Sequence, residues 1–179
     1  VGLVADIRPS IQAGAEGVGL YRTEVPFMIR ERFPSEDEQT LIYRQLLESF
    51  MPKYVTMRTL DVGADKVLPY FSVPEENPAL GWRGLRMTLD HPEIFLLQAR
   101  AMFRASHQLN NLQIMLPMVT GVPEVIEALR LLRQAYDEVT QEGCQCRFPR
   151  VGAMIEVPSA IYLIPELASF IDFFSVGSN

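Results

Sequence analysis

At 179 residues the chain can bury one sizeable core, and 48% hydrophobic with 21% charged residues excludes a disordered chain. The net charge of −6 excludes a general nucleic-acid surface, which needs a basic face, but leaves room for local arginines to hold a small anion. No apolar run approaches the roughly 20 residues that span a membrane, and Asp6 and Arg8 interrupt the N-terminal apolar run where a signal peptide would continue.

Val1 to Ile7 reads as a short buried strand and Arg8 to Glu16 as a short helix. Val18 to Tyr21 is a second strand, ending in Arg22, Thr23 and Glu24. Pro34-Ser35 opens a helix with Ser35 as N-cap and Glu38 three residues on, a capping box, and Leu41, Leu46, Leu47 and Phe50 as its apolar stripe. Tyr54 to Leu60 is the third strand, running into the charged stretch Asp61 to Lys66. Pro69 to Gly81 is broken by Pro and Gly and reads as a surface excursion leading to Trp82, Arg83 and Arg86. His91 to Leu109 is a helix with Ile94, Leu97, Ala101 and Phe103 at helical spacing. Leu112 to Val119 is the fourth strand, Pro123 to Glu142 a long amphipathic helix, and Val151 to Val157 the fifth strand. Pro158 to Ala168 is a helix and Phe170 to Val176 the sixth strand.

Apolar strands alternating with helices predict a parallel sheet covered by helices. A doubly wound sheet and a (β/α)8 TIM barrel both fit, but no GxGxxG follows the first strand, which weakens the dinucleotide fold. The barrel is favoured because charged residues stand at the ends of several strands, where barrels gather their sites. About six βα units are too few to close one. The chain also stops at Val176-Gly177-Ser178-Asn179, where a strand should hand over to a loop, so a partial barrel over residues 1–179 is expected.

The strand-end residues are Arg22, Arg58 with Asp61, Glu156 and Asn179. Two arginines offer planar forks for phosphate or carboxylate. Glu156 suits a hard cation such as Mg2+, which takes one or two protein carboxylates plus substrate oxygens. Asn179 adds a neutral donor. Arg22 with Glu24 and Arg58 with Asp61 also read as plain ion pairs closing a barrel end, and both readings stay open here. His91 reads as a helix-start residue and His107 as an exposed helix residue. The eight methionines read mostly as core filler, and Cys144 and Cys146 as two reduced thiols on a loop.

Seven blocks carry a resemblance: GVGLYRTEVPFM (Gly17 to Met28), PSEDEQ (Pro34 to Gln39), RTLDVGADK (Arg58 to Lys66), ENPALGWRGLR (Glu76 to Arg86), IMLPMV (Ile114 to Val119), GAMIEVPSA (Gly152 to Ala160) and DFFSVGSN (Asp172 to Asn179). In order and spacing they resemble the phosphoenolpyruvate-utilising enzymes, in particular Enzyme I of the sugar phosphotransferase system, with wording similar to its nitrogen-related form. The resemblance implies a barrel that binds phosphoenolpyruvate and Mg2+ and dimerises in the cytoplasm. It implies that Arg22 and Arg58 bind the phosphate, that Asn179 contacts substrate, that Arg83 supports the site and that Glu156 ligates Mg2+. It also implies transfer of the phosphoryl group through a histidine on a separate swivelling domain to an HPr-like phosphocarrier protein.

The family's second Mg2+-ligating aspartate, a later arginine and the cysteine that protonates the enolate would lie past Asn179. Neither Cys144 nor Cys146 stands in a matching context. No catalytic residue is therefore expected within these residues, and no turnover from them alone. The alternatives are a barrel of the pyruvate phosphate dikinase or phosphoenolpyruvate synthase type, and a non-catalytic dimerisation or regulatory module.

Overall fold

A computed structural model describes residues 2–28, 32–62 and 84–177. Its centre is a five-stranded parallel sheet: β1 (Val18–Arg22), β2 (Val55–Arg58), β3 (Leu112–Leu116), β4 (Arg150–Ile155) and β5 (Phe173–Val176). Each strand pairs with the next in chain order, with no reversal. A doubly wound sheet needs a reversal point, so the described strands form instead a singly wound, curled sheet, half of a barrel.

The helices are α1 (Ile7–Gln12), α2 (Val25–Met28), α3 (Glu36–Phe50), α4 (Leu85–Asp90), α5 (Pro92–Ala105), α6 (Val122–Gln141), α7 (Pro158–Tyr162) and α8 (Ile164–Leu167). The crossover helices α3, α5 and α6 pack side by side, α3 on α5 and α5 on α6. One face of the sheet meets them: Val55, Met57, Ile114, Leu116, Val151, Ala153 and Ile155 share a core with Leu47, Phe95, Met102 and Leu132. Alternation sends Thr56, Arg58, Gln113, Met115, Gly152 and Met154 to the other face. There Thr56 Oγ1 donates to Gln113 Oε1 at 3.0 Å, and the Phe173 ring lies so close to Gly152 that a Cβ would meet it at 2.5 Å.

Local rules account for most element starts. The capping box at α3 forms, Glu38 N donating to Ser35 Oγ while Ser35 N donates to Glu38 Oε2, a feature worth about 1 kcal/mol. Pro92 follows the His91 N-cap of α5, and Glu124 accepts from Thr120 N at the start of α6.

Several sequence expectations are corrected. Within the stretch expected as a strand from Val1 to Ile7, the described residues form none: Val4–Asp6 is a 3-10 turn leading into α1 at Ile7. The Asp6 carboxylate accepts from the Gly2 and Leu3 amides, both at 3.0 Å, which gives those donors local partners in place of a sheet. These bonds hold the Asp6 carboxyl below its ordinary value. The count is thus five described strands rather than six. The helix expected over Pro158 to Ala168 breaks at Leu163, because Pro165 lacks the amide and crowds the carbonyl four residues back. The α3 stripe turns through Gln39, Tyr43, Leu46, Leu47 and Phe50, leaving Leu41 71% exposed. His107 lies in the turn after α5, half-buried, its Nδ1 accepting from Gln145 N. The excursion from Pro69 to Gly81 and Trp82 lies outside the described residues.

Candidate functional site

The carboxyl ends of parallel strands share one edge of the sheet, so Arg22 closing β1, Arg58 closing β2 and Glu156 after β4 come to the same side. Arg22 and Arg58 are register partners across β1 and β2. Cα partners on adjacent strands send their side chains to the same face, so two guanidinium stems stand next to each other. Arg83 and Asn179 lie outside the described residues.

The two arginines differ sharply. Arg22 is exposed, with no ion-pair or hydrogen-bond partner among the described residues. Arg58 is 5% exposed and lies across the inner face, its Nη1 reaching Met154 Sδ of β4 at 3.7 Å. Its Nη2 pairs with Glu24 Oε1 at 2.6 Å and its Nη1 with Asp61 Oδ2 at 3.1 Å. Both carboxylates are 1% exposed. The ion-pair reading of Arg58 with Asp61 therefore holds, but Glu24 pairs with Arg58 rather than with its sequence neighbour Arg22. Arg58 Nε is buried with no hydrogen-bond partner among the described residues. Two buried carboxylates against one guanidinium form a cluster that costs several kcal/mol to desolvate, so its presence calls for a compensating purpose.

Glu156 is half-buried, and its Oε1 accepts from Met118 N at 2.8 Å. That bond depends on a left-handed Met118, at φ 50°, just after Pro117 has ended β3. A side chain in that region costs of order 1 kcal/mol or more, so the turn is held by its surroundings. Gly84, at φ 58°, supplies part of them: a Cβ there would fall 2.8 Å from Met118 Cβ and 3.2 Å from Asp61 Oδ1. Gly84, just before α4, thus packs directly onto the strand-end cluster. The second oxygen of Glu156 has no hydrogen-bond partner among the described residues. One hard oxygen donor at a strand end fits Mg2+, which draws the rest of its shell from water and substrate. Among the described residues no group of three His, Cys, Asp or Glu converges on a metal position.

Behind the arginines lies a buried polar network that sequence reasoning missed. Thr23 Oγ1 donates to the Arg58 carbonyl at 2.8 Å. Gln98 Nε2 of α5 donates to Thr23 Oγ1 at 3.1 Å and to Tyr43 OH at 3.2 Å, and its Oε1 accepts from Leu60 N at 2.8 Å. Tyr43 OH donates to Gln39 Oε1 at 3.1 Å. Burial pushes the phenols of Tyr21 and Tyr43 far up, so both stay protonated. The available signal was a glutamine inside the apolar stripe of α5, where an unpartnered amide would be costly.

Other candidates fall away. Cys144 and Cys146 are half-buried free thiols remote from the strand ends, and burial followed by the neighbouring Cys144 pushes Cys146 up to about 12. A cavity of about 610 Å³ lined by Leu129, Arg133, Phe148 and Arg150 sits at the amino end of β4, the opposite edge of the sheet. Met57, Met115 and Met154 are buried as core. No described helix is long and apolar enough to cross a membrane.

Comparison with known proteins places this edge in context. Residues 1–179 match the family described as PEP-utilising enzyme, PEP-binding domain. The chain is 54% identical over 179 residues to the phosphoenolpyruvate-dependent phosphotransferase system protein of Salmonella typhimurium, covering 99% of the chain and 24% of that protein. It is 44% identical over 181 residues to the phosphoenolpyruvate-protein phosphotransferase of Staphylococcus carnosus, covering 100% of the chain and 31% of that protein. A phosphotransferase of the same description from Haloferax volcanii is 42% identical over 183 residues, covering 100% of the chain and 32% of its own length. The chain thus spans about a quarter to a third of the length of these curated relatives.

Proposed function

The chain belongs to the phosphoenolpyruvate-utilising enzymes, and from that premise we propose that it is the phosphoenolpyruvate- and Mg2+-binding part of an Enzyme I-type phosphoenolpyruvate-protein phosphotransferase. In this reading residues 1–179 are part of a (β/α)8 barrel whose closing strands, and whose histidine-bearing swivelling domain, belong to the rest of a longer, homodimeric, cytoplasmic protein. The phosphoryl group passes through that histidine to an HPr-like phosphocarrier.

The observation that carries the reading is the register pairing of Arg22 with Arg58 at adjacent strand ends, one exposed and without an ion pair or hydrogen bond among the described residues, the other locked. Phosphoryl transfer asks a protein mainly to position the group and to offset charge on its oxygens. Arg22 supplies an open fork at the edge. Arg58 supplies a second cation that Glu24 and Asp61 hold in one rotamer, so little side-chain entropy remains to be lost when an anion arrives. Arg83 and Asn179 would complete the substrate contacts. Glu156 would hold Mg2+, its carboxylate oriented by the Met118 amide. The ion, when bound, would draw charge from the phosphoryl oxygens.

Calorimetric titration of phosphoenolpyruvate with Mg2+ into the complete protein and its Arg22→Ala variant tests the reading. Loss of a charge-assisted contact to phosphate should weaken binding by roughly tenfold to a hundredfold. Because Arg22 is exposed and makes no ion pair or hydrogen bond among the described residues, the variant should keep its fold. Equal affinity in the two proteins would remove the case for this site.

A further inference from the structure

We infer that Gln98, on the helix layer behind the sheet, is a positioning residue that sets the spacing of the two arginine-bearing strand ends. The inference rests on the phosphoenolpyruvate reading of that edge. Gln98 is 1% exposed in a helix whose other buried residues are Phe95, Ala99, Ala101, Met102, Phe103 and Ala105. An apolar side chain would satisfy packing at such a position, so an amide is explained only by the partners it serves.

Those partners all belong to the site edge or to its backing. Leu60 stands two residues beyond Arg58, past the end of β2, and its amide donates to Gln98 Oε1 at 2.8 Å. Thr23 stands one residue beyond Arg22, and its hydroxyl receives from Gln98 Nε2 at 3.1 Å while donating to the Arg58 carbonyl at 2.8 Å. One amide group therefore holds the segment after β1 and the segment after β2 at once, and Thr23 ties the first directly to Arg58. The second Nε2 hydrogen goes to Tyr43 OH at 3.2 Å, and Tyr43 passes its own hydrogen to Gln39 of α3 at 3.1 Å. The amide is thereby braced against α3. The β1–β2 ladder pairs Arg22 with Arg58 and ends there, and the directional bonds of Gln98 fix the segments that follow, Thr23 and Leu60, which the ladder does not hold. A two-arginine clamp is sensitive to small shifts there, since a 1 Å misplacement can cost about a hundredfold in a positioned reaction.

The test uses the complete protein with the substitutions Thr23→Val, Thr23→Ser and Gln98→Met. Thr23→Val keeps the shape and removes the hydroxyl link, Thr23→Ser keeps the link, and Gln98→Met removes all three bonds of the amide. Phosphoenolpyruvate affinity is measured by titration with Mg2+ at a temperature where each variant is fully folded, alongside thermal melting. Thr23→Val and Gln98→Met are expected to bind roughly tenfold or more weakly, with Thr23→Ser restored to near the original affinity. A structural role alone would lower the melting temperature and leave the affinity of the folded protein unchanged, which would overturn the inference. If Gln98→Met does not fold, the valine and serine pair decides. Arg22→Ala separates the two levels of the argument. Unchanged affinity in Arg22→Ala sinks the site reading and this inference with it. Lost affinity in Arg22→Ala with full affinity in Thr23→Val sinks the positioning role alone.

Discussion

Arginine and carboxylate meet in two parts of this molecule under opposite conditions. On the outer surface Arg100 of α5 bonds Glu36 of α3 at 3.0 Å, Glu138 of α6 at 2.8 Å and Glu142, just past α6, at 2.8 Å. Arg104 adds Glu36 at 2.9 Å and Glu142 at 2.6 Å. At the inner edge Arg58 meets Glu24 and Asp61 with all three nearly sealed from water. The outer network clips three neighbouring helices together where water screens each pair, so each contributes little. The inner cluster has lost its water and can be offset only by good geometry and by use. The same chemistry is a fastener in one place and stands at the candidate site in the other.

The largest effect that would break or sharpen this contrast comes from Arg58→Met. It leaves Glu24 and Asp61 buried without their shared cation, and the expected loss is about 3–5 kcal/mol in urea unfolding. Arg100→Met, which deletes three ion pairs rather than two, is expected to cost only about 1 kcal/mol, because Glu138 and Glu142 stay hydrated and Glu36 keeps its ion pair to Arg104. Equal losses would show that burial does not separate the clusters.

Much of the fold was legible because it rests on local rules. The apolar runs around Met57, Ile114 and Ala153 gave the strands, and Ser35 with Glu38 gave the start of α3. The first segment differs from its expectation because the Asp6 carboxylate accepts from the Gly2 and Leu3 amides, a short-range choice that hydropathy does not register. The candidate site was legible in part. Arg22, Arg58 and Glu156 stand at strand ends, and that placement follows from strand boundaries alone. What holds them does not. Glu24 crosses to Arg58 from the neighbouring strand end, Gln98 arrives from a helix 38 residues beyond its Leu60 partner, and Met118 turns its amide to Glu156 only in a left-handed conformation. Such partners are fixed by tertiary register, which a single sequence shows only as a polar residue in an apolar stripe.

The smallest effect probes the outer network through pH and salt. Hydrogen bonds from Arg104 and then Arg100 hold the Glu142 carboxyl below its ordinary value of 4.5, and Gln134 followed by Arg100 does the same for Glu138. For an acid whose folded-state value is depressed, the stabilising contribution is complete above the unfolded value and disappears as pH falls through the folded one. The original protein should therefore lose melting temperature between about pH 5 and pH 3 more steeply than an Arg100→Met/Arg104→Met double variant, in which both acids return toward 4.5. Raising ionic strength from about 0.15 M to about 1 M shortens screening from about 8 Å to about 3 Å, so at neutral pH the gap between these two proteins should shrink. The penalty of Arg58→Met should stay nearly constant over the same salt range, because its charges are shielded from ions as well as from water. If salt reduced both penalties alike, the Arg58 cluster would be in contact with solvent, and the contrast between fastener and site would fail at its physical root.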